Sequence, residues 1–230
     1  MEVRGSMKAP FIFMYNKAEN MIKNIVFDLD GVLFDGCDFH AKMFIQAVLA
    51  VLPEYPLTRE FHDAQLNALP TKYKLKKLMI DPATAEQIYT LKQQLTERDI
   101  ANYIREDKKV QDICIALKTL GYKVFCVSNS IRATVDSCLH GMGVREYFSG
   151  VITNEDTSLP KPSPEPYLTL YRQYGLEPRE CLVLEDSEYG IQSARASGAH
   201  LLPVRDCNDV SLDAISNRIE ELRREHLTGI

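Results

Sequence analysis

Residues 24–36 of the chain read Asn-Ile-Val-Phe-Asp-Leu-Asp-Gly-Val-Leu-Phe-Asp-Gly. The apolar run before Asp28 has the length and β-branched content of a strand that is buried on both faces. Asp28 and Asp30 lie two residues apart, so at a strand end their side chains point the same way. Two neighbouring carboxylates repel each other unless a cation or a phosphoryl group uses them. Surface aspartates also end strands without any chemical role, and this stretch alone leaves that interpretation open.

The composition is that of an ordinary globular protein. The chain has 230 residues, of which 45% are hydrophobic and 26% are charged, enough for one large domain or a domain that carries an insertion. The formal net charge is −5 and no block of Lys or Arg stands out, so we expect neither a nucleic acid nor an anionic membrane surface as partner. A small anionic substrate remains compatible with a locally positive site.

The cysteine pattern indicates a reducing compartment. Six cysteines are widely spaced with no C-x-x-C pair: Cys37, Cys114, Cys126, Cys138, Cys181 and Cys207. Buried free thiols explain this spacing better than disulfides or a zinc site. We therefore expect a cytoplasmic protein.

Residues 1–20 are interpreted as an N-terminal extension and not a signal peptide, because their apolar patch is short and no small-residue cleavage site follows it.

Residues 37–104 have helical periodicity and no convincing strand. Apolar residues at Phe44, Val48 and Leu52 begin this pattern, which predicts a small all-helical insertion after the first strand. One hypothesis is that four lysines of the insertion contact an anionic substrate: Lys72, Lys74, Lys76 and Lys77. Alternating charges on an amphipathic helix are more often its solvated face, and the sequence favours that interpretation.

Helices and strands alternate in the remainder of the chain. Strands are predicted at 122–127, 150–153, 181–184 and 200–204, with helices between them and an amphipathic helix in 211–230. A glycine follows each intervening helix, as expected for left-handed caps. This alternation predicts a doubly wound α/β fold with a mainly parallel sheet. The core domain would comprise residues 21–36 and 105–230, and the insertion would be residues 37–104.

Three predicted strands end in polar residues. These are Asp28 and Asp30, then Ser128 and Asn129, then Glu185 and Asp186. Ligands of such sheets bind beyond the carboxyl ends of the strands, where we expect these side chains to meet. Magnesium takes one or two carboxylates together with phosphate oxygens and water, which fits Asp28, Asp186 and Glu185.

A phosphate also needs donors. Ser128 offers a hydroxyl close to a helix N-terminus, and Lys161 offers a positive charge. Lys161 lies among prolines, so its backbone is stiff and non-helical. A solvated loop lysine would explain Lys161 taken alone. Its place in the chain, between the polar strand ends at residues 128–129 and 185–186, favours a role in the site.

These motifs resemble the haloacid dehalogenase-like (HAD) hydrolase superfamily, whose four motifs occur in order. They are Asp28-Leu29-Asp30-Gly31-Val32, Ser128-Asn129, Lys161-Pro162, and Glu185-Asp186-Ser187 with Gly190. The resemblance covers about residues 24–205 and implies a Rossmannoid core. The helical insertion resembles the cap domain of the subgroup that includes the β-phosphoglucomutase-like phosphatases.

The resemblance implies a role for each motif residue. Asp28 would attack phosphorus and form an aspartyl-phosphate, and Asp30 would act as acid and then base. Mg²⁺ would be held by Asp28, Glu185, Asp186 and the main-chain carbonyl of Asp30. Ser128, Asn129 and Lys161 would contact the phosphoryl group, with Lys161 also neutralising its charge.

The sequence thus predicts a magnesium-dependent phosphatase of small phosphorylated metabolites, such as sugar or polyol phosphates, acting as a monomer or homodimer. An acid at position 30 argues against dehalogenases. A sugar phosphomutase is the nearer alternative, because His40 stands where those enzymes carry a histidine and would bind substrate, although a packing role is as well supported. Against it, residues 69–75 lack the Gly-x-Ser-Arg segment of such mutases. A non-catalytic phospholigand-binding module is the third hypothesis.

Overall fold

A computed structural model describes residues 21–67 and 69–228. The predicted extension at 1–20 lies outside the described residues, as do Ala68 and residues 229–230. The strands are β1 (Asn24–Phe27), β2 (Lys123–Val127), β3 (Phe148–Ile152), β4 (Cys181–Glu185) and β5 (His200–Pro203). The helices are α1 (Cys37–Val51), α2 (Arg59–Gln65), α3 (Thr71–Lys77), α4 (Pro82–Tyr103), α5 (Lys108–Thr119), α6 (Arg132–Gly141), α7 (Glu165–Tyr174), α8 (Glu188–Ala196) and α9 (Leu212–Thr228).

The five strands form one parallel sheet in the order β3-β2-β1-β4-β5. In the centre, Val26 of β1 lies opposite Phe125 on one side and Val183 on the other. All four residues of β1 are buried, as the continuous apolar run predicts. The strand order reverses at β1, so the predicted doubly wound fold is confirmed and β1 ends at the switch point where such sheets bind ligands.

Helix ends after residue 105 agree with the glycine pattern. Gly121, Gly143, Gly175 and Gly198 follow α5 to α8 and have φ values of 87°, 73°, 63° and 85°. A residue with a Cβ would be strained in this left-handed conformation, whereas glycine adopts it freely. The chain can therefore turn back toward the sheet after each helix. Only β3 differs noticeably from expectation. It begins at Phe148, two residues early, because Phe148 already pairs with Val124 of β2.

Helices α1 to α4 lie between β1 and α5, and residues 37–67 and 69–104 contain no strand. Thr58 caps α2 by accepting a hydrogen bond from the Phe61 amide at 3.1 Å, and Asp81 caps α4 through the amides of Ala83 and Thr84. These helices agree with the predicted all-helical insertion. Its status as a separate domain stays a prediction.

Two hydrophobic clusters cover the two faces of the sheet. Phe27 packs in the larger cluster, which also contains Ile88 of α4 and Leu117 of α5. Val26 faces the opposite side and packs with Tyr167 and Leu170 of α7. The larger cluster continues from the sheet into the inserted helices, so these helices are held against the sheet by apolar burial.

Helix α9 closes the described chain and buries Ile215, Ile219 and Leu222, as its amphipathic pattern predicts. Leu212 packs against the same cluster but is only partly buried. Among the described helices, none combines the length and apolar character needed to cross a bilayer.

Replacing Gly175 by alanine tests the cap conformation. A Cβ at this position would meet nothing within 4 Å, so the cost comes from φ alone. We expect Gly175→Ala to lower the free energy of unfolding by about 1 kcal/mol in urea denaturation. Gly175→Asn should cost less, since asparagine tolerates the left-handed region. An alanine variant as stable as the original chain would contradict this account.

Candidate active site

The polar ends of β1, β2 and β4 line one cavity of about 850 Å³. Asp28 and Asp30 follow β1, Ser128 follows β2, and Asp186 follows β4, and all four line this cavity. Residues of α3 and α4 form part of the opposite wall. The convergence predicted from three separate segments is therefore present at the carboxyl edge of the sheet.

Lys161 lies at the centre of this edge and is 3% exposed. Its Nζ donates hydrogen bonds to Asp28 Oδ1 at 2.6 Å, to the Val127 carbonyl at 2.8 Å and to Glu185 Oε1. All three ammonium protons thus have acceptors. The neighbouring acids raise the pKa of Lys161 even though burial opposes the charged form. The interpretation of Lys161 as a solvated loop lysine is wrong, because its ammonium is buried between two carboxylates.

Asp28, Glu185 and Asp186 form an acidic cluster, in which one carboxylate oxygen from each lies within 4.8 Å of the others. Burial and the charge of Glu185 raise the pKa of Asp28 well above its usual range. The same two causes raise the pKa of Asp186 to about 6. One lysine thus offsets only part of the repulsion among these acids.

The acidic cluster suits a hard divalent cation. The donors are carboxylate oxygens, which Mg²⁺ prefers. Asp186 Oδ1 is buried and has no hydrogen-bond partner in the described part of the chain. A Cβ on Gly31, whose φ is +90°, would collide with the Asp186 carboxyl group. The glycine thus leaves room for the Asp186 carboxyl group, whose Oδ1 keeps an unused acceptor for a cation. The predicted contribution of the Asp30 carbonyl stays a prediction.

Asp30 lies beside the acidic cluster with partners of its own. Ser130 Oγ donates to Asp30 Oδ2 at 3.0 Å, and His40 Nε2 lies 3.1 Å from Asp30 Oδ1. Burial opposes ionisation of Asp30, but His40 and Ser130 outweigh it and lower the pKa. His40 thus contacts the candidate acid and base, and it also lines the cavity. Its role in substrate binding stays a prediction.

Ser128 and Asn129 both line the cavity and also fix the loops around it. Ser128 Oγ accepts a hydrogen bond from the Ser130 amide at 3.0 Å, and Asn129 Oδ1 accepts one from the Lys161 amide at 3.1 Å. Asn129 therefore sets the position of the segment that carries Lys161. At the start of α6, the Arg132 amide donates to Glu155 Oε2 at 2.6 Å, so this part of the helix N-terminus is already engaged.

Sequence reasoning missed Tyr167 as a residue that shapes the acidic cluster, and it missed the steric role of Gly190. The fully buried Tyr167 on α7 donates from its hydroxyl to Glu185 Oε1 at 2.7 Å. A Cβ on Gly190 would collide with the Glu185 carboxyl group, so glycine leaves room for this acid. The helical spacing of Tyr167 indicates only a core residue, whereas Gly190 was recognised as part of a motif without this steric reason.

The four lysines of the insertion differ in environment. Lys76 and Lys77 are exposed and do not line the cavity, as expected for a solvated face. Lys72 is exposed at the rim, with Nζ 4.9 Å from the centroid of the Tyr89 ring. Lys74 is buried and lines the cavity, so the solvated-face interpretation is wrong for this residue.

The chain thus has a Rossmannoid sheet whose central strand ends in two aspartates, beside a lysine and a second acidic pair. This is the arrangement expected of the hydrolase class that its motifs resemble. The family model described as haloacid dehalogenase-like hydrolase matches residues 25–204. The chain belongs to this family, as its four motifs indicate.

Relatives within the family include named phosphatases. The chain is 27% identical over 184 residues to the fructose-1-phosphate phosphatase of Escherichia coli K12, covering 79% of this chain and 95% of the relative. It is 29% identical over 206 residues to the phosphoglycolate phosphatase of Salmonella paratyphi A, covering 80% and 81%. Its fold is similar to that of a β-phosphoglucomutase from Clostridium difficile, with a TM-score of 0.73, 17% identity, and coverage of 87% and 98%.

Tyr167→Phe tests whether the Tyr167 hydroxyl positions Glu185. We expect Mg²⁺ affinity or turnover to fall by ~10- to 100-fold, the usual effect of removing an outer partner of a metal ligand. Tyr171→Phe is the matched control, because it removes a hydroxyl from the same helix that bonds instead to Ser197 Oγ at 2.9 Å. Isothermal titration with Mg²⁺ and steady-state kinetics would measure both variants. Equal effects of the two substitutions would refute a positioning role for Tyr167.

Asp186→Asn tests the acidic cluster by thermal denaturation. Without Mg²⁺, the variant should be at least as stable as the original chain, since one repelling charge is removed. Mg²⁺ at roughly 100 times its Kd should stabilise the original chain by about 2–3 kcal/mol. The variant should lose most of this gain. An undiminished magnesium-induced rise in Tm for Asp186→Asn would exclude Asp186 as a ligand.

Proposed function

We propose that the protein is a magnesium-dependent phosphatase that hydrolyses small phosphomonoesters, such as sugar or polyol phosphates, through an aspartyl-phosphate. The observation that carries this proposal is the position of Asp28, which lines the cavity while Lys161 holds one of its oxygens. Named phosphatases among the relatives support the same reaction.

Asp28 is the proposed nucleophile. Its carboxylate attacks phosphorus, so that a new bond forms between phosphorus and carboxylate oxygen while the bond to the ester oxygen breaks. Lys161 orients the carboxylate through the 2.6 Å hydrogen bond and supplies positive charge beside the transferring group. Bound Mg²⁺, held by Asp28, Glu185 and Asp186, would add charge stabilisation for the phosphoryl oxygens.

Asp30 is the proposed acid and base. Asp30, whose Oδ1 lies 3.1 Å from His40 Nε2, gives its proton to the leaving oxygen as the bond to phosphorus breaks. Asp30 then accepts a proton from the water that attacks the aspartyl-phosphate, which regenerates Asp28 and releases phosphate. The lowered pKa of Asp30 keeps it ionised for this second step. Ser128 and Asn129 are proposed to contact the phosphoryl group from β2.

Residues 37–104 are proposed to form a cap domain over a core of residues 21–36 and 105–230. Cavity-lining residues from α3 and α4 support this division, since they face the reactive edge of the sheet. A cap that closes over the substrate excludes water from the acidic cluster and strengthens its electrostatic interactions.

We further propose that the enzyme acts in the cytoplasm on small metabolites, as a monomer or homodimer. All six cysteines are free thiols, and four of them are buried. Burial raises the pKa of Cys114 to about 12, which keeps its thiol protonated and unreactive. These features fit a reducing compartment.

A sugar phosphomutase remains the second candidate, favoured by the contact of His40 with Asp30. A phosphomutase would need a bisphosphate primer and yield an isomerised sugar phosphate with little free phosphate. A non-catalytic phospholigand-binding module is disfavoured, because the reactive side chains surround one cavity.

Phosphate release from a panel of phosphomonoesters tests the proposal. We expect turnover that disappears with EDTA and returns with Mg²⁺. Asp28→Asn should reduce release to background while thermal denaturation verifies that the variant is folded. Asp30→Asn should lower kcat by ~10²- to 10⁴-fold, as expected for loss of an acid and base. Activity that survives in Asp28→Asn would contradict the proposed nucleophile.

A further inference from the structure

Two lysines project from the inserted helices into the wall of the same cavity. Lys74 on α3 is 7% exposed and Lys92 on α4 is 8% exposed. Both line the cavity together with Asp28. Both residues therefore contribute to the wall of the space that a substrate would occupy, on the side formed by α3 and α4.

Neither ammonium has a carboxylate partner. Within residues 21–67 and 69–228, no ion pair joins Lys74 or Lys92 to an acid. Lys74 Nζ donates to His62 Nε2 at 2.9 Å, and Lys92 Nζ lies 3.5 Å from Gln93 Oε1. Buried cations normally have an acidic partner, because desolvation of an unpaired ammonium is costly.

His62 fixes Lys74 in this direction. The imidazole is 1% exposed, and burial together with the charge of Lys74 lowers its pKa, so that it is neutral. A neutral ring accepts the ammonium proton at Nε2, and its Nδ1 lies 3.1 Å from Asp63 Oδ1. The Phe44 ring centroid is 5.2 Å from Lys74 Nζ and adds a cation–π contact. Lys74 is therefore a positioned group.

The charge of Lys92 also acts on Lys74. Burial, and for Lys74 the charge of Lys92, lowers the pKa of each to about 8. Asp30 has the opposite effect on both, which relates them electrostatically to the reactive edge of the sheet. Two buried cations of like charge repel each other, and an anion between them would remove this repulsion.

We propose that Lys74 and Lys92 bind a second anionic group of the substrate, so that preferred substrates carry a carboxylate or a second phosphate remote from the transferred phosphoryl group. This inference rests on the proposed phosphatase function and names the substrate class. The reactive edge would take the transferred phosphoryl group, and the two lysines the anionic end.

Matched substrates test this specificity. One arm uses carboxyalkyl phosphates of two to four carbons, a second arm uses the corresponding alkanediol bisphosphates, and a third uses hydroxyalkyl phosphates of the same lengths. Hydrolysis of the hydroxyalkyl esters tests the phosphatase function independently of the lysines. At the best chain length, we expect kcat/KM for one anionic arm to exceed that of the neutral arm by about 10- to 100-fold. The anionic arm with the higher kcat/KM shows whether the two lysines bind a carboxylate or a phosphate.

Lys74→Met and Lys92→Met should each reduce this preference to about 3-fold or less, through a KM that rises more for the anionic ester than for the neutral ester. Lys76→Met is the matched control, because Lys76 lies on the same helix but is exposed and outside the cavity. It should retain the full preference. Lys92→Met should not lower Tm, because it removes a buried charge that has no acidic partner. Lys74→Met should lower Tm slightly, because it leaves the buried His62 Nε2 without its donor.

Turnover without preference for either anionic arm would overturn the inference while leaving the phosphatase function intact. A preference that persists in both Lys74→Met and Lys92→Met, or that disappears equally in Lys76→Met, would also overturn it. If a variant does not fold, the kcat/KM values of the original chain for the three arms still test the predicted preference for anionic substrates.

Discussion

The site depends on the buried ammonium of Lys161, which bridges Asp28 and Glu185. Without it, acids from two neighbouring strand ends would face each other in a poorly solvated space, where their repulsion is strong. The Asn129 side chain accepts a hydrogen bond from the Lys161 amide, and the Tyr167 hydroxyl donates one to Glu185. Lys161 thus neutralises part of the charge of the three acids, and the remaining negative charge fits a divalent cation.

Local patterns predicted most of the fold. The apolar run before Asp28 has the signature of a fully buried strand, and the glycines at 121, 143, 175 and 198 indicate where helices end. Both signals depend on neighbouring residues alone, so they can be read without tertiary information. The convergence of Asp28, Ser128 and Asp186 also followed, because parallel strands place their carboxyl ends at one edge.

The features that the sequence did not predict depend on packing between distant segments. Lys74 and Lys76 are two residues apart on one helix, yet one faces the cavity and the other faces solvent. Which side of α3 is inward is decided by its contacts with α4 and His62, which no local pattern records. Tyr167 is similar, because its helical spacing predicts burial but not that its hydroxyl reaches Glu185 from 18 positions away in sequence.

The continuity of the larger hydrophobic cluster has a thermodynamic consequence. Ile88 of α4 belongs to the same apolar cluster as Phe27 of β1, so the inserted helices lack a separate interior. Cap and core would then melt in a single cooperative transition in calorimetry, despite their different proposed tasks. Excising the insertion would uncover an apolar face of the sheet and favour aggregation. The proposed cap would in this sense be a functional unit but not an autonomous folding unit.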